Sequence, residues 1–272
     1  MITIIGNSLN SGNKKVLDKM NKMDVEFIRR ETQHQLANGA EYIELNAMPL
    51  LHQERPFLRK VIPMVEDLGA RVFVRSENIA TLVEAIEIAR NELIVGDIEF
   101  NLEKVEAICK AIEASPKTVH IVALTREDPR DNDIYPEKSL LVAQRYVDAL
   151  LDRGISRKQI LLDPIIQPLE ENFSHGKTFL KTLDLFKMDF PQVKTIGNLT
   201  DLSYGLPRRF MLTAYFLSLA ISRGLDYIVL NVMDKSVQEA TVSTLSIIGR
   251  DRNLQNYLKF CRNKKEARQR QI

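Results

Sequence analysis

The residues with chemical potential in this chain are polar side chains that follow short apolar runs. Glu44 and Asn46 close the run Tyr42-Ile43-Glu44-Leu45-Asn46, and Asp163 closes Ile160-Leu161-Leu162 before a proline. A carboxylate placed among apolar neighbours is costly unless it is paired or used, which singles out Glu44 and Asp163. Similar positions hold Asn7, Ser8 and Asn10; Arg75, Ser76, Glu77 and Asn78; Gly96, Asp97 and Glu99; Thr125, Arg126, Glu127 and Asp128; Asn198, Thr200, Asp201 and Ser203; and Asn231 and Asp234. Taken singly, such residues are ordinary turn formers and helix caps. Taken together, they offer carboxylates for proton transfer and for gripping N–H donors. Arg75, Arg126, Arg208 and Arg209 add guanidinium forks suited to an anionic group.

Other chemistries find little support. The four histidines, His34, His52, His120 and His175, are scattered without ligand spacing, so no metal site is expected. Neither a phosphate-binding Gly-rich loop nor a Gly-x-Ser-x-Gly elbow is present, and no Gly-x-Gly-x-x-Gly follows the first apolar run. Cys109 and Cys261 belong to no Cys-x-x-Cys motif and read as free thiols in a reducing cytoplasm.

The elements that position these residues alternate strictly. Apolar runs begin at Ile2, Tyr42, Arg71, Leu93, Val119, Ile160, Val193 and Tyr227, and helical spacing follows each. The helical patterns stop at Asn38-Gly39, Leu68-Gly69, Arg153-Gly154 and Arg223-Gly224. Short strands that are apolar on both faces belong in a parallel sheet covered by helices. Eight such units in 272 residues favour a single (β/α)8 TIM barrel spanning residues 1–272, with an open doubly wound sheet as the alternative. In a barrel the polar residues gathered above all fall at one end, the mouth formed by the loops after the strands.

Bulk properties are those of an ordinary globular protein: 44% hydrophobic residues, 27% charged and a net charge of +2. That balance excludes a nucleic-acid or membrane binder of the strongly basic kind. No apolar run reaches the ~20 residues that span a bilayer, and Met1-Ile2-Thr3-Ile4-Ile5-Gly6 reads as a strand rather than a leader. Basic residues gather from Arg262 to Arg270 and read as a solvated tail over about 262–272.

Several segments resemble pterin-binding barrels. Ile4-Ile5-Gly6-Asn7-Ser8-Leu9-Asn10 is similar to their opening, and Tyr42 to Asn46 to their second-strand motif with Glu44 in place of Asp. Leu161-Leu162-Asp163-Pro164-Ile165-Ile166-Gln167-Pro168 resembles the sixth-strand motif. Leu199 to Pro207 with Arg209 resembles the seventh, and Arg223-Gly224-Leu225-Asp226 follows. The nearest branch is the methyltetrahydrofolate:corrinoid methyltransferases, which include the folate module of cobalamin-dependent methionine synthase; dihydropteroate synthases are more distant.

The resemblance implies methyl transfer from N5 of tetrahydrofolate, or from another donor, to the cobalt of a corrinoid on a partner protein, in a cytoplasmic homodimer. It implies Asp163 and Asp201 as catalytic residues and a ligand site drawn from Asn10, Glu44, Asn46, Arg75, Gly96, Asp97, Asp163, Asp201, Ser203 and Arg209. Three positions depart from the motif: Arg75 stands for the strand-three Asp, Gly96 for the strand-four Asn, and Asp201 for the strand-seven Asn. An arginine accepts no hydrogen bond from a pterin N–H edge. One expectation is therefore an ion pair between Arg75 and Asp201 that holds Asp201 ionised. The alternative to methyl transfer is a paralogue that keeps the barrel and partner surface without binding ordinary folate.

Overall fold

Parallel strands alternate with helices and close on themselves. The computed structural model describes residues 2–10, 12–126 and 134–269. The strands are β1 (Thr3–Gly6), β2 (Tyr42–Asn46), β3 (Arg71–Arg75), β4 (Leu93–Ile98), β5 (Val119–Leu124), β6 (Ile160–Asp163), β7 (Lys194–Asn198) and β8 (Tyr227–Leu230). They form a closed barrel in chain order, and β1 pairs in parallel with β8 from Thr3↔Tyr227 to Gly6↔Leu230. The helices are α1 (Lys14–Asn21), α2 (Val25–Ala37), α3 (Glu54–Asp67), α4 (Ile79–Ile88), α5 (Leu102–Glu113), α6 (Pro136–Leu151), α7 (His175–Asp189), α8 (Arg209–Ser222), α9 (Lys235–Ile247) and α10 (Gln255–Gln269). The barrel expected from the alternation of apolar runs is the fold observed. α10 takes up most of the segment read as a tail, and Glu127 and Asp128 lie outside the described residues.

Local signals explain the boundaries. Asp24 caps α2 by accepting the Phe27 N–H at 3.0 Å, and the helix exits through Asn38 into Gly39 at φ +93. Asn78 and Asn101 cap α4 and α5 in the same way. α1 is short and mostly charged, and only Val16 and Met20 are buried, so its apolar periodicity is faint. β4 runs beyond its apolar Leu93-Ile94-Val95 to Ile98, with a register shift against β5 between Val95 and Ile98. β7 likewise extends to Asn198.

The barrel interior is layered. Ile5, Phe73, Ile94, Val122, Leu161, Ile196 and Val229 form a dry middle, joined by Tyr42. Polar side chains lie on both sides of it. A larger apolar core fills the space between sheet and helices, with Phe57, Tyr146, Phe179 and Phe186 among its largest members. The helical layer opens at the seam between α2, α9 and α10, where an apolar groove of about 620 Å³ reaches Ile4 and Leu230. No helix among the described residues is long and apolar enough to cross a membrane.

Candidate functional site

The mouth holds a cleft of about 150 Å³ lined by Arg75, Asp97, Leu124, Arg126, Asp163, Ile165, Ile166, Asn198 and Asp201. Five strands contribute their carboxyl ends or the loops just beyond: β3, β4, β5, β6 and β7. The dry middle layer seals the floor, which lowers the local dielectric around the charged groups above it.

Arg75 closes one side. Its Nε donates to Asp97 Oδ2 at 2.7 Å, its Nη2 donates to the same carboxylate, and its Nη1 donates to Glu44 Oε1 at 2.9 Å. Glu44 is fully buried beneath it, and among the described residues Glu44 Oε2 has no hydrogen-bond partner. Burial pushes the Glu44 carboxyl up, and the Arg75 charge offsets only part of that rise. Burial would lower the Arg75 pKa, but the Asp97 and Glu44 carboxylates outweigh it and raise it. The expected ion pair with Asp201 is therefore corrected: the Arg75 hydrogen bonds run to Asp97 and Glu44, its neighbours on β4 and β2.

Asp163 ends β6, and its Oδ1 accepts the Ile165 N–H at 2.8 Å. Ile165 is held at φ +56, a costly backbone for a β-branched residue, and that strain sits beside the acid it anchors. Thr125 Oγ1 donates to the Asp163 carbonyl at 2.7 Å. Burial, helped by Asp97, raises the Asp163 carboxyl to about 7. Asp201 follows β7 and accepts from Asn198 Nδ2 at 2.9 Å, while Thr200 Oγ1 donates to Asn198 Oδ1 at 2.8 Å. Burial lifts the Asp201 carboxyl to about 6 against the pull of Arg75 and Arg209. Asp201 is thus not pinned in the ionised form; both acids exchange protons near neutral pH.

Arg126 faces these acids with Nε unpartnered among the described residues and Nη2 4.0 Å from Glu99. Arg126 and Asn198, together with the apolar Ile165 and Ile166, belong to the cleft although the candidate site set omits them. Both polar residues end or follow an apolar run, the signal that marked the others.

The remaining candidates stand back from the cleft. Gly96 packs where a Cβ would lie 2.5 Å from Val122, and its carbonyl accepts the Ser76 N–H at 2.7 Å; a side chain there is excluded by β5. The Gly96–Asp97 peptide is cis. Asn10 bridges to Asn46 and accepts the Gly12 N–H at 2.9 Å, which ties the first two strand exits together. Ser203 is buried against Thr213 Oγ1 at 3.0 Å, and Arg209 Nη2 donates to the Thr200 carbonyl at 2.9 Å. These two hold the loop that carries Asp201. Arg208 lies at the surface over the Phe210 ring. Lys194 begins its strand at the opposite end of the barrel, where it bonds Asp226 at 3.3 Å. Among the described residues no group of three or more His, Cys, Asp or Glu is arranged to hold a metal ion.

A family model described as pterin binding enzyme matches residues 6–231. A methylcorrinoid:tetrahydrofolate methyltransferase from Eubacterium limosum is 22% identical over 266 residues, covering 96% of this chain and 97% of that protein. Among solved structures, Yersinia pestis dihydropteroate synthase with a pterine-sulfa conjugate matches with a TM-score of 0.62 at 17% identity, over 93% of each chain. Dihydropteroate synthase from Thermus thermophilus matches with a TM-score of 0.60 at 19% identity, over 88% of this chain and 90% of that one. At these identities the structural matches speak for the fold.

Proposed function

The chain belongs to the pterin-binding enzyme family, and from that premise we propose that it transfers a methyl group between N5 of a reduced folate and the cobalt of a corrinoid carried by a partner protein. The Eubacterium limosum relative supports this class, although its name runs from methylcorrinoid to tetrahydrofolate, opposite to the direction expected from the sequence. One site serves both directions. The observation that carries the reading is that Asp163 and Asp201 line the same cleft, with Asn198 bonded to Asp201.

A pterin ring fits this lining in part. The Asp163 carboxyl accepts the N–H donors of the ring edge, and Leu124, Ile165 and Ile166 offer apolar contact to its faces. Glu44 and Asp97 are already engaged by Arg75. The corrinoid supplies a cobalt able to give or take the methyl group. The protein's own part is proton control. When the methyl leaves N5, the Asp201 carboxyl donates a proton to the nitrogen, which would otherwise have to depart as an amide anion, a poor leaving group. In the reverse direction N5 gives its proton to the Asp201 carboxylate as the methyl arrives. Asn198 orients that carboxyl through its amide.

The proposal includes a homodimer, for which the exposed Phe210, Tyr215 and Leu219 on α8 are candidate contacts, and a cytoplasmic setting consistent with the free thiols of Cys109 and Cys261. The test adds methyltetrahydrofolate to the protein with cob(I)alamin and follows the visible spectrum, then repeats the reaction with methylcobalamin and tetrahydrofolate. Turnover in either direction, lost in Asp201→Asn, supports the reading. Tight folate binding without turnover in both directions overturns it in favour of the non-catalytic paralogue.

A further inference from the structure

The helical layer is incomplete at one place. Around much of the ring neighbouring helices pack on one another, as α6 on α7 and α8 on α9, but among the described residues α2 and α9 barely meet across the β1–β8 seam. The groove of about 620 Å³ fills that gap, with Ile4 and Leu230 from the sheet, Val237, Val242 and Leu245 from α9 and Phe260 from α10 in its lining. Mainly apolar walls around roughly 300–1,000 Å³ are the mark of a small-molecule pocket. Most of the polar side chains in the lining are engaged within the chain. Gln238 Nε2 donates to Asn38 Oδ1 at 2.9 Å and to the Val232 carbonyl at 2.7 Å. Asn38 Nδ2 donates to the His34 carbonyl at 2.9 Å, Thr241 Oγ1 to the Val237 carbonyl at 2.8 Å, and Asn256 Nδ2 to Asp251 Oδ1 at 3.1 Å. Lys235 differs. It is exposed at the start of α9, and among the described residues its ammonium has no hydrogen bond or ion pair. The carboxylate of the adjacent Asp234 caps the helix by accepting the Ser236 N–H at 2.9 Å. The groove therefore calls for an apolar body and offers one cation.

We propose that this groove is a second ligand site, separate from the mouth, which binds one unbranched fatty acid with its carboxylate at Lys235 and its methyl end toward Leu245. Lys235 and Leu245 lie about 15 Å apart along the α9 axis, close to the length of an extended chain of about ten carbons. The chain buries its methylenes against the groove walls, and the carboxylate meets both the ammonium and the positive end of the α9 dipole. A helix from a second copy fits less well. At about 10 Å across, the same length of helix fills about 1,200 Å³, nearly twice the space, so it would rest on the groove rather than in it. The inference does not depend on the pterin reading.

Calorimetry with a series of straight-chain carboxylates from hexanoate to tetradecanoate, each below its micelle concentration, tests the body of the site. Affinity is expected to rise about fourfold per added carbon and to level off at about ten, where the groove is full. No binding at any length overturns the proposal. So does a rise that continues through the whole series, which is the behaviour of simple partition onto an apolar surface.

Two variants test its ends. The native protein is expected to bind decanoate at least about threefold more tightly than decanol, and Lys235→Met, at an exposed position, to bind the two alike. A variant that still prefers the acid overturns the placement of the head. Val242→Trp fills the groove and is expected to weaken decanoate binding by more than about tenfold with the urea midpoint preserved; unchanged binding overturns the site. Should that variant not fold, the chain-length series and the Lys235→Met comparison decide. Sedimentation of the same proteins covers the other occupant: a native chain that self-associates, binds no acid and becomes monomeric as Val242→Trp has a contact between copies there, and the proposal falls.

Discussion

The two ends of the barrel are built from the same residue types and reach opposite electrostatic states. At the N-terminal end, Tyr42 OH donates to Glu92, His120 Nε2 lies 3.0 Å from the same carboxylate, and Arg71 reaches both Glu92 and Glu41. Asp226 there receives Lys187, Lys194 and the Thr195 N–H and hydroxyl. Burial works against the Glu92 charge, yet Tyr42 and His120 hold its pKa below the usual range. At the mouth, burial wins: Glu44, Asp163 and Asp201 are all raised. Among the described residues, donors match acceptors at one end and fall short at the other. The first arrangement holds the fold; the second leaves acids short of partners at the end where the proposed ligand would bind.

Substitutions that separate these roles test the contrast. The largest effect is expected from Asp201→Asn, which on the proposed reading removes the proton that N5 exchanges. Methyl transfer falls about 10²–10⁴-fold in single-turnover spectra, with the urea midpoint little changed. If activity survives, the mouth acid is not the proton source.

Glu92→Ala at the other end reverses the pattern. It strips hydrogen bonds from Tyr42 and His120 and costs about 2 kcal/mol in urea unfolding, while folate binding by calorimetry stays as it was. A loss of binding without a loss of stability would erase the distinction between the ends.

Asp163→Asn yields a comparable but pH-dependent shift of opposite sign. Its carboxyl titrates near 7 in the folded chain and near 3.8 when unfolded, so between those values the folded state binds the extra proton. Stability therefore falls as pH rises from about 4 to about 7 and levels off above that, where the buried charge goes uncompensated. The variant is expected to be about 2 kcal/mol more stable than the native chain at pH 8 and equal to it near pH 4, by urea midpoints at both. Its pteridine affinity drops at every pH. The smallest effect belongs to Lys194→Met: the amine is 45% exposed and shares Asp226 with Lys187, so the cost is below about 1 kcal/mol with turnover unchanged.

The barrel was legible because its strands are buried on both faces, which leaves unbroken apolar runs that end in polar residues. Asp163 was legible for the same reason. The partners of Arg75 were not. They depend on which strands sit side by side in the closed sheet, and the pairing of Asn46 with Arg75 and of Arg75 with Gly96 places Glu44 and Asp97 within its reach. Gly96 was equally opaque: the glycine reflects Val122 on the next strand rather than a missing ligand contact. Asn198 and Arg126 carried the strand-end signal, but nothing in the one-dimensional pattern ranks them above Asn10 or Ser203, which fold into supporting loops.

The pairing of β1 with β8 also has a consequence in time. Its partners are separated by about 220 residues, the most distant contact the sheet makes. During synthesis β1 leaves the ribosome before β8 and has no partner on that edge until β8 emerges, so the sheet waits open with an unsatisfied edge while the strands between them are made. Truncations that stop before Tyr227 should therefore associate with one another or with chaperones, whereas chains that include Leu230 can close.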